Sequence, residues 1–293
     1  MDETESELVI ENNNKVKDFL KEYKYEILLS IIILGAIIYK LWNNSYFLNL
    51  FKRNGNIVSD KVRYIIDHSL MVHLEDDKLS ERRFEEVTEI YNKYKLPIHK
   101  FRALHWKKDK KELLTLSLDY KGITENNKRP GAYGLAGSFY KCLLKAYAEN
   151  WSYLLFLEDD AVPILEPNEF YSRFNEVIET LPDNGDGIYN LGFHVYCRTN
   201  KNDITRWFKT NNNNSVTGTH SMLISNNYIK LLTEYIQKNN IDLAIDHFIN
   251  KFNPWIWYGD LSENGMFRGL YKQLNINCSN FHTLPGAINK NIL

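Results

Sequence analysis

Residues 151–161 read Trp-Ser-Tyr-Leu-Leu-Phe-Leu-Glu-Asp-Asp-Ala, an apolar and aromatic run that ends in three adjacent acids, Glu158, Asp159 and Asp160. Carboxylates clustered at a strand end can hold a hard divalent cation such as Mg²⁺ or Mn²⁺, and that cation can neutralise a diphosphate. In an open α/β sheet, ligands sit in the crevice beyond the carboxyl ends of the strands, which is where this triplet falls. Asp160 is the first choice for direct coordination and Glu158 the second. The competing reading is a strand whose polar end meets solvent before a turn at Pro163. A second Leu-Glu-Asp-Asp, residues 74–77, follows a shorter strand candidate (Met71 to Leu74). It precedes a helix with Leu79, Phe84, Val87, Tyr91 and Tyr94 on one face, and acids there favour a helix N-terminus through the macrodipole without any ligand.

Arg82 and Arg83 lie on that helix, and guanidinium groups suit bidentate phosphate recognition. Being adjacent, they do not both face one ligand. The 3 cysteines, Cys142, Cys197 and Cys278, leave at least one unpaired and describe no metal spacing, so they read as packing residues. Asn43, Asn150, Asn213 and Asn277 each begin an Asn-x-Ser sequon, which matters only if the chain faces a secretory lumen.

The elements that must position these residues alternate. Strand candidates at 64–74 are followed by the helix ending near Tyr94 and then by Leu96 to Leu104. A helix with Leu135, Phe139, Cys142, Leu143 and Ala146 along one stripe precedes the acidic strand. Gly187 to Val195 is another strand candidate. His220 to Ser225 reads as a strand and Tyr228 to Ile236 as a helix capped by Ser225 or Asn226. Pro254-Trp255-Ile256-Trp257-Tyr258-Gly259 reads as a last strand or as a stacking platform for a sugar. The alternation argues an α/β domain with a mostly parallel central sheet over residues 61–293.

Ahead of it, residues 1–24 read as a mobile tail and residues 43–60 as a stem. Between them, Ile27 to Tyr39 is an uninterrupted apolar stretch, and counting residues 25–42 with Glu26 and Lys40 snorkelling gives about 18 residues, near the lower limit for a spanning helix, with a buried core helix as the alternative. An acidic segment precedes this run and no small-residue cleavage site follows it, which argues against a signal peptide. The expectation is a single-pass membrane protein anchored through residues 25–42. The lysine count leans toward a cytoplasmic N-terminus, and the sequons do not settle which side the globular part faces. The chain has 293 residues, 44% of them hydrophobic, enough for one sizeable core plus an attachment. A formal charge of -1 provides no global field for nucleic acid, so no nucleic-acid partner is expected.

The stretch Gly134-Leu135-Ala136-Gly137-Ser138-Phe139, followed by Leu157-Glu158-Asp159-Asp160-Ala161, resembles glycosyltransferase family 25, the lipopolysaccharide-type and collagen-type sugar transferases. That family carries a glycine, a Ser-His pair on a helix, and an apolar strand closing on Glu-Asp-Asp-Ala. Val72-His73-Leu74-Glu75, Arg82-Arg83-Phe84, Phe101-Arg102-Ala103, Leu191-Gly192, Gly218 to Ser225 with Leu231-Leu232, and Asp246 are similar to its other segments. The resemblance covers roughly 65 to 270 and is most specific at Glu-Asp-Asp-Ala. Leu135, Phe139 and His73 depart from the family's cysteine, histidine and asparagine, so the roles of those side chains are not carried over.

The resemblance implies a GT-A type nucleotide-sugar-binding domain and an inverting transfer of a hexose, galactose or glucose favoured. The implied donor is a UDP-sugar and the acceptor a hydroxyl of a glycan, glycolipid or protein. Mn²⁺ (or Mg²⁺) is the implied cation, at Glu158 and Asp160. It places Arg82, Gly134, Ser138 and Asp159 at the donor. His220, beside Gly218 on a strand candidate, could touch donor or acceptor, and a structural histidine completing a polar network is the favoured reading. Inversion needs a base on the acceptor side, and Asp246 leads, with His247, Asp242 and Glu263 behind it. The alternatives are an inactive adaptor or glycan-binding protein of the same fold, which the Phe139 departure favours, and a metal-dependent phosphoesterase using both acidic clusters.

Overall fold

In the computed structural model the apolar run ahead of the acid triplet is a strand, β3 (Tyr153–Glu158), in the interior of the main sheet. The structure describes residues 58–75, 77–125, 130–194, 207–210, 217–259 and 267–274, all within a unit that begins at Val58. The expected tail, the span at 25–42 and nearly all of the stem lie outside the described residues, as do Asp76, Glu263, Cys197, Cys278, Asn43, Asn213 and Asn277. Among the described residues no helix is long and apolar enough to cross a membrane.

On one side β3 pairs in parallel with β1 (Ser69–His73), which pairs in parallel with β2 (Lys100–Arg102). On its other side lies the antiparallel β7 (Thr217–Ser225), followed by β5 (Ile188–His194), β8 (Trp255–Trp257) and β6 (Trp207–Lys209). β9 (Phe267–Gly269) adds antiparallel to the last part of β5. The pairings make β1, β2, β3, β5 and β8 run one way and β6, β7 and β9 the other, so the parallel majority expected from the alternation carries antiparallel insertions. A separate ribbon pairs β4 (Ala161–Pro163) with β10 (Tyr271–Gln273). The five co-directional strands therefore end, on one edge, at Arg102, His73, Glu158, His194 and Trp257.

Every residue of β1 and β5 is buried, the pattern of strands covered on both faces. On one face Leu154 and Phe156 of β3 and Met222 and Ile224 of β7 join a cluster with three helices. Helix α5 (Gly131–Ala148) supplies Phe139, Cys142, Leu143 and Ala146, as its apolar stripe predicts. Helices α7 (Asn226–Asn239) and α8 (Ile245–Asn250) supply Leu232 and Phe248. Leu155 and Leu157 alternate with Leu154 and Phe156 and so face the other way, on the side of α1 (Asp60–Asp67). Helix α2 (Lys78–Tyr94) buries Val87, Tyr91 and Tyr94, whereas Leu79, in its first turn, is 68% exposed and leaves the expected stripe. Helix α6 (Pro167–Glu179) places Phe170 5.6 Å edge-on from both Tyr94 and Tyr271.

Cys142 packs in the core, and burial pushes its thiol well up. Ser225 takes the N-cap position of α7, but its hydroxyl donates to Asp186 at 2.7 Å instead of capping the helix. The segment around Trp255 is a strand. Trp257 is buried against Trp207, and Trp255 donates its Nε1–H to Asp183 at 3.0 Å with the Lys209 ammonium over its ring.

Candidate functional site

Parallel pairing sets Val72 opposite Glu158, so the next residue of each strand, His73 and Asp159, meet at the carboxyl edge. His73 Nδ1 lies 3.1 Å from Asp159 Oδ2, and its Nε2 lies 3.2 Å from Glu81 Oε1. Ser80 donates its hydroxyl to the same Asp159 oxygen at 2.5 Å, and Arg83 donates Nη2–H to the other at 3.0 Å. Both come from the first turns of α2. That helix starts where it does because Asp77 accepts from the Ser80 N–H at 2.9 Å, so this acid of the second cluster serves as a helix cap. Glu75 of that cluster pairs with Lys100 at 3.5 Å.

Asp160 is buried beside this group. Its carboxyl is pushed up to about 6, chiefly by burial and further by Asp159, with the Arg83 guanidinium pulling the other way. Arg83 Nη1 lies 3.6 Å from Asp160 Oδ2. Opposite, the Gln273 amide reaches Asp160 Oδ1 at 3.5 Å, and the Leu274 N–H donates to the Asp160 carbonyl at 2.7 Å. The register of β10 on β4, with Gln273 opposite Ala161, delivers these contacts.

Gln273 also hydrogen-bonds His194, the last residue of β5. Burial lowers the His194 imidazole, while Gln273 and the Asp246 carboxylate act to raise it. Asp246, in the first turn of α8, acts electrostatically on His194, while its Oδ1 accepts from the His247 N–H at 2.9 Å. Behind His194, His220 is fully buried, its ring 5.8 Å away, and its Nε2–H donates to the Tyr271 carbonyl at 3.2 Å. Burial, then His194, pushes the His220 imidazole down to about 3. Two glycines make the room: a Cβ at Gly192 would lie 2.5 Å from His220 Nε2, and one at Gly218, whose φ is +93°, 2.6 Å from the His194 ring.

Of the residues expected at the site, Glu158, Asp159 and Asp160 follow one another at the strand edge, Gln273 joins Asp160 to His194, and the charge of Asp246 is felt at His194. Arg82 points to solvent in an ion pair with Glu86, and its neighbour Arg83 is the arginine at the acids. Gly134 and Ser138 fasten α5 to the segment after β2. Ser138 accepts from the Leu104 N–H at 2.8 Å and donates to the Gly134 carbonyl at 2.7 Å, and a Cβ at Gly134 would sit 2.2 Å from the Leu104 carbonyl oxygen. Phe139 is buried edge-on to Phe156, and Leu135 packs half-buried on the same cluster. His247 is exposed, and Asp242 is paired with Lys251. Sequence reasoning missed Ser80, His194 and Gln273 and gave His73 no role. The position of His73 and His194 at the ends of apolar runs was the available signal; Ser80 and Gln273 carried none.

Among the described residues no group of three or more His, Cys, Asp or Glu side chains is gathered to hold a metal ion. Mg²⁺ is commonly bound by one or two carboxylates and completes its shell with substrate phosphate oxygens and water, and Mn²⁺ shares its preference for oxygen ligands. Asp160, a buried carboxylate whose contacts to Arg83 and Gln273 are 3.6 and 3.5 Å, fits a shared site of that kind and not an all-protein one, with Glu158 two residues before it at the end of β3.

No protein-family model matches the chain, and no curated protein matches it. Three solved structures are similar to it in part. A glycosyltransferase involved in the glycosylation of the major capsid of PBCV-1 matches at 9% identity and TM-score 0.30, over 58% of this chain and 66% of that one. A197 from STIV matches at 13% identity and TM-score 0.33, over 71% of this chain and 96% of that one. Mannose-1-phosphate geranyltransferase from Thermus thermophilus matches at 10% identity and TM-score 0.34, over 70% of this chain and 75% of that one. These matches assign no family. At such scores and identities the site is read from this chain's own residues.

Proposed function

We propose that the chain is a glycosyltransferase that moves a hexose from a nucleoside-diphosphate donor to an acceptor hydroxyl, anchored to a membrane through residues 25–42. The observation that supports this is the convergence, on the carboxyl edge of one sheet, of Asp159, Asp160 and Arg83 with His194, Gln273 and the charge of Asp246. The first set suits the leaving diphosphate and the second suits an acceptor that must lose a proton.

Arg83 has guanidinium donors for phosphate oxygens, and Asp159, held by His73, Ser80 and Arg83, is a fixed acceptor for hydroxyls of the nucleotide. Asp160 with Glu158 would hold a divalent cation, which when bound stabilises the negative charge building on the leaving phosphate. Asp246 takes the proton of the attacking hydroxyl, and His194, kept neutral by burial, orients the acceptor beside it. Phe139, whose departure from the resembled family favours the inactive adaptor, is buried edge-on to Phe156, which supports a packing role for this side chain.

The experiment is nucleoside diphosphate release by the full-length protein from a panel of UDP- and GDP-sugars, with and without Mn²⁺, beside Asp160→Asn and Asp246→Asn. Release from one donor, lost in both variants, supports the reading and names the sugar. Silence across the panel, together with no nucleotide binding by calorimetry, would end it.

A further inference from the structure

Arg83 lies against the same acids that the sequence offers to a cation. Its Nη2 is 3.0 Å from Asp159 and its Nη1 3.6 Å from Asp160, so one guanidinium spans two carboxylates on adjacent residues. Its Nε is buried and has no hydrogen-bond partner among the described residues. A guanidinium carries five N–H donors in a fixed fork, and this arrangement leaves several of them for another acceptor. The side chain is 35% exposed, so it can turn outward without unpacking the core.

The two carboxylates differ in how firmly they are held. Asp159 has both oxygens engaged at hydrogen-bond distance, by Arg83 on one side and by Ser80 and His73 on the other. Asp160 has longer contacts to other residues, 3.6 Å to Arg83 and 3.5 Å to Gln273, beside a hydrogen bond from its own backbone N–H. A free divalent cation approaching Asp160 meets the guanidinium charge a few ångströms away, in a partly buried setting where like charges repel strongly. It also finds too few protein ligands, since no group of three is gathered among the described residues. A nucleoside diphosphate would remove both obstacles, offering phosphate oxygens to the guanidinium and to the cation together.

We propose that Arg83 is the resident counter-ion of the Asp159–Asp160 pair in the nucleotide-free protein, excluding free divalent cation until a diphosphate draws the guanidinium from Asp160. Granted the nucleoside-diphosphate donor proposed above, cation and nucleotide then bind as a coupled pair. By linkage, each raises the other's affinity by the same factor. No bond is made or broken in this step.

The test is Mn²⁺ binding to the full-length protein by calorimetry and electron paramagnetic resonance, in wild type, Arg83→Gln and Arg83→Lys, each with and without UDP. Without UDP, Arg83→Gln should bind Mn²⁺ at least about tenfold tighter than wild type, and Arg83→Lys, which keeps the charge, should not. Adding Asp160→Asn to Arg83→Gln should abolish the gain. In wild type UDP should raise Mn²⁺ affinity about tenfold or more, and in Arg83→Gln by less. Equal Mn²⁺ affinity in wild type and Arg83→Gln, or no Mn²⁺ binding to either, overturns the proposal. If Arg83→Gln does not fold, wild type decides: a protein that binds UDP but takes Mn²⁺ equally well with and without it has no such counter-ion. Tighter free Mn²⁺ binding by Arg83→Gln with no UDP binding by any variant would keep the counter-ion and remove the donor reading. UDP-dependent Mn²⁺ binding in wild type with no change in free Mn²⁺ binding by Arg83→Gln would do the reverse.

Discussion

His73 and Asp159 meet across two parallel strands, with Nδ1 3.1 Å from Oδ2 and the imidazole wholly buried. The contact follows from sheet register and ties the end of β1 to the acid triplet. The family that the sequence resembles carries asparagine at this position, and an amide can also donate to a carboxylate. Removing the donor leaves a buried carboxylate short of one partner, so His73→Ala should cost about 1–3 kcal/mol in urea unfolding, and His73→Asn less. Equal losses in the two variants would show that the hydrogen bond contributes nothing beyond ring packing.

Phe139 stands where the resembled family has histidine, and its ring sits 5.2 Å from that of Phe156 at 87°. Restoring the histidine would bury an imidazole without a built partner. Phe139→His should therefore lose about 2–4 kcal/mol and gain no transferase activity. Denaturant unfolding beside a donor-turnover assay checks both halves, and a rise in turnover would return the position to the site.

At Gly192 an added methyl would meet both His220 Nε2 and the Tyr271 carbonyl oxygen at 2.5 Å. Neither can retreat freely, because the two are bonded to each other. Gly192→Ala should destabilise by about 1–3 kcal/mol and loosen β10 from the edge, seen as faster amide exchange at Gln273 and Leu274. Unchanged exchange there would mean that the strand tolerates the methyl.

The protonation of His220 gives a stability change with a definite sign. Its imidazole is pushed from 6.5 down to about 3 by burial and then by His194, so the unfolded chain takes the proton first. Its contribution to stability is complete above about 6.5 and is lost as pH falls from there toward 3. His194, also lowered by burial, acts in the same sense. Asp160 runs opposite: with its carboxyl raised from 3.8 to about 6, it costs stability as pH climbs through that interval. Unfolding free energy measured from pH 4 to 7 should fall less steeply with acid in His220→Asn than in wild type. Parallel curves would remove His220 from the account.

What could be read from the sequence is what local pattern controls. The apolar run of β3, the stripe of α5 and the start of α2 behind the acids at 75–77 each follow from neighbours within a few residues. The choice of Arg83 over Arg82 did not, because adjacent residues on a helix differ by about 100° and only the docked helix fixes which faces the acids. Strands of three residues, such as β4 and β10, are too short to show a period. Gly134 and Ser138 were read as donor contacts because a motif reports order along the chain, whereas their bonds to Leu104 are made across space.

Gln273 reaches Asp160 from 113 positions further along the chain. On a ribosome adding about 5–20 residues per second, Asp160 waits roughly 6–23 seconds for that partner to be made. The contact that closes over this carboxyl therefore comes from a segment made long after it, and the edge at Asp160 is completed only by a long-range partner that no local pattern around the acids could provide.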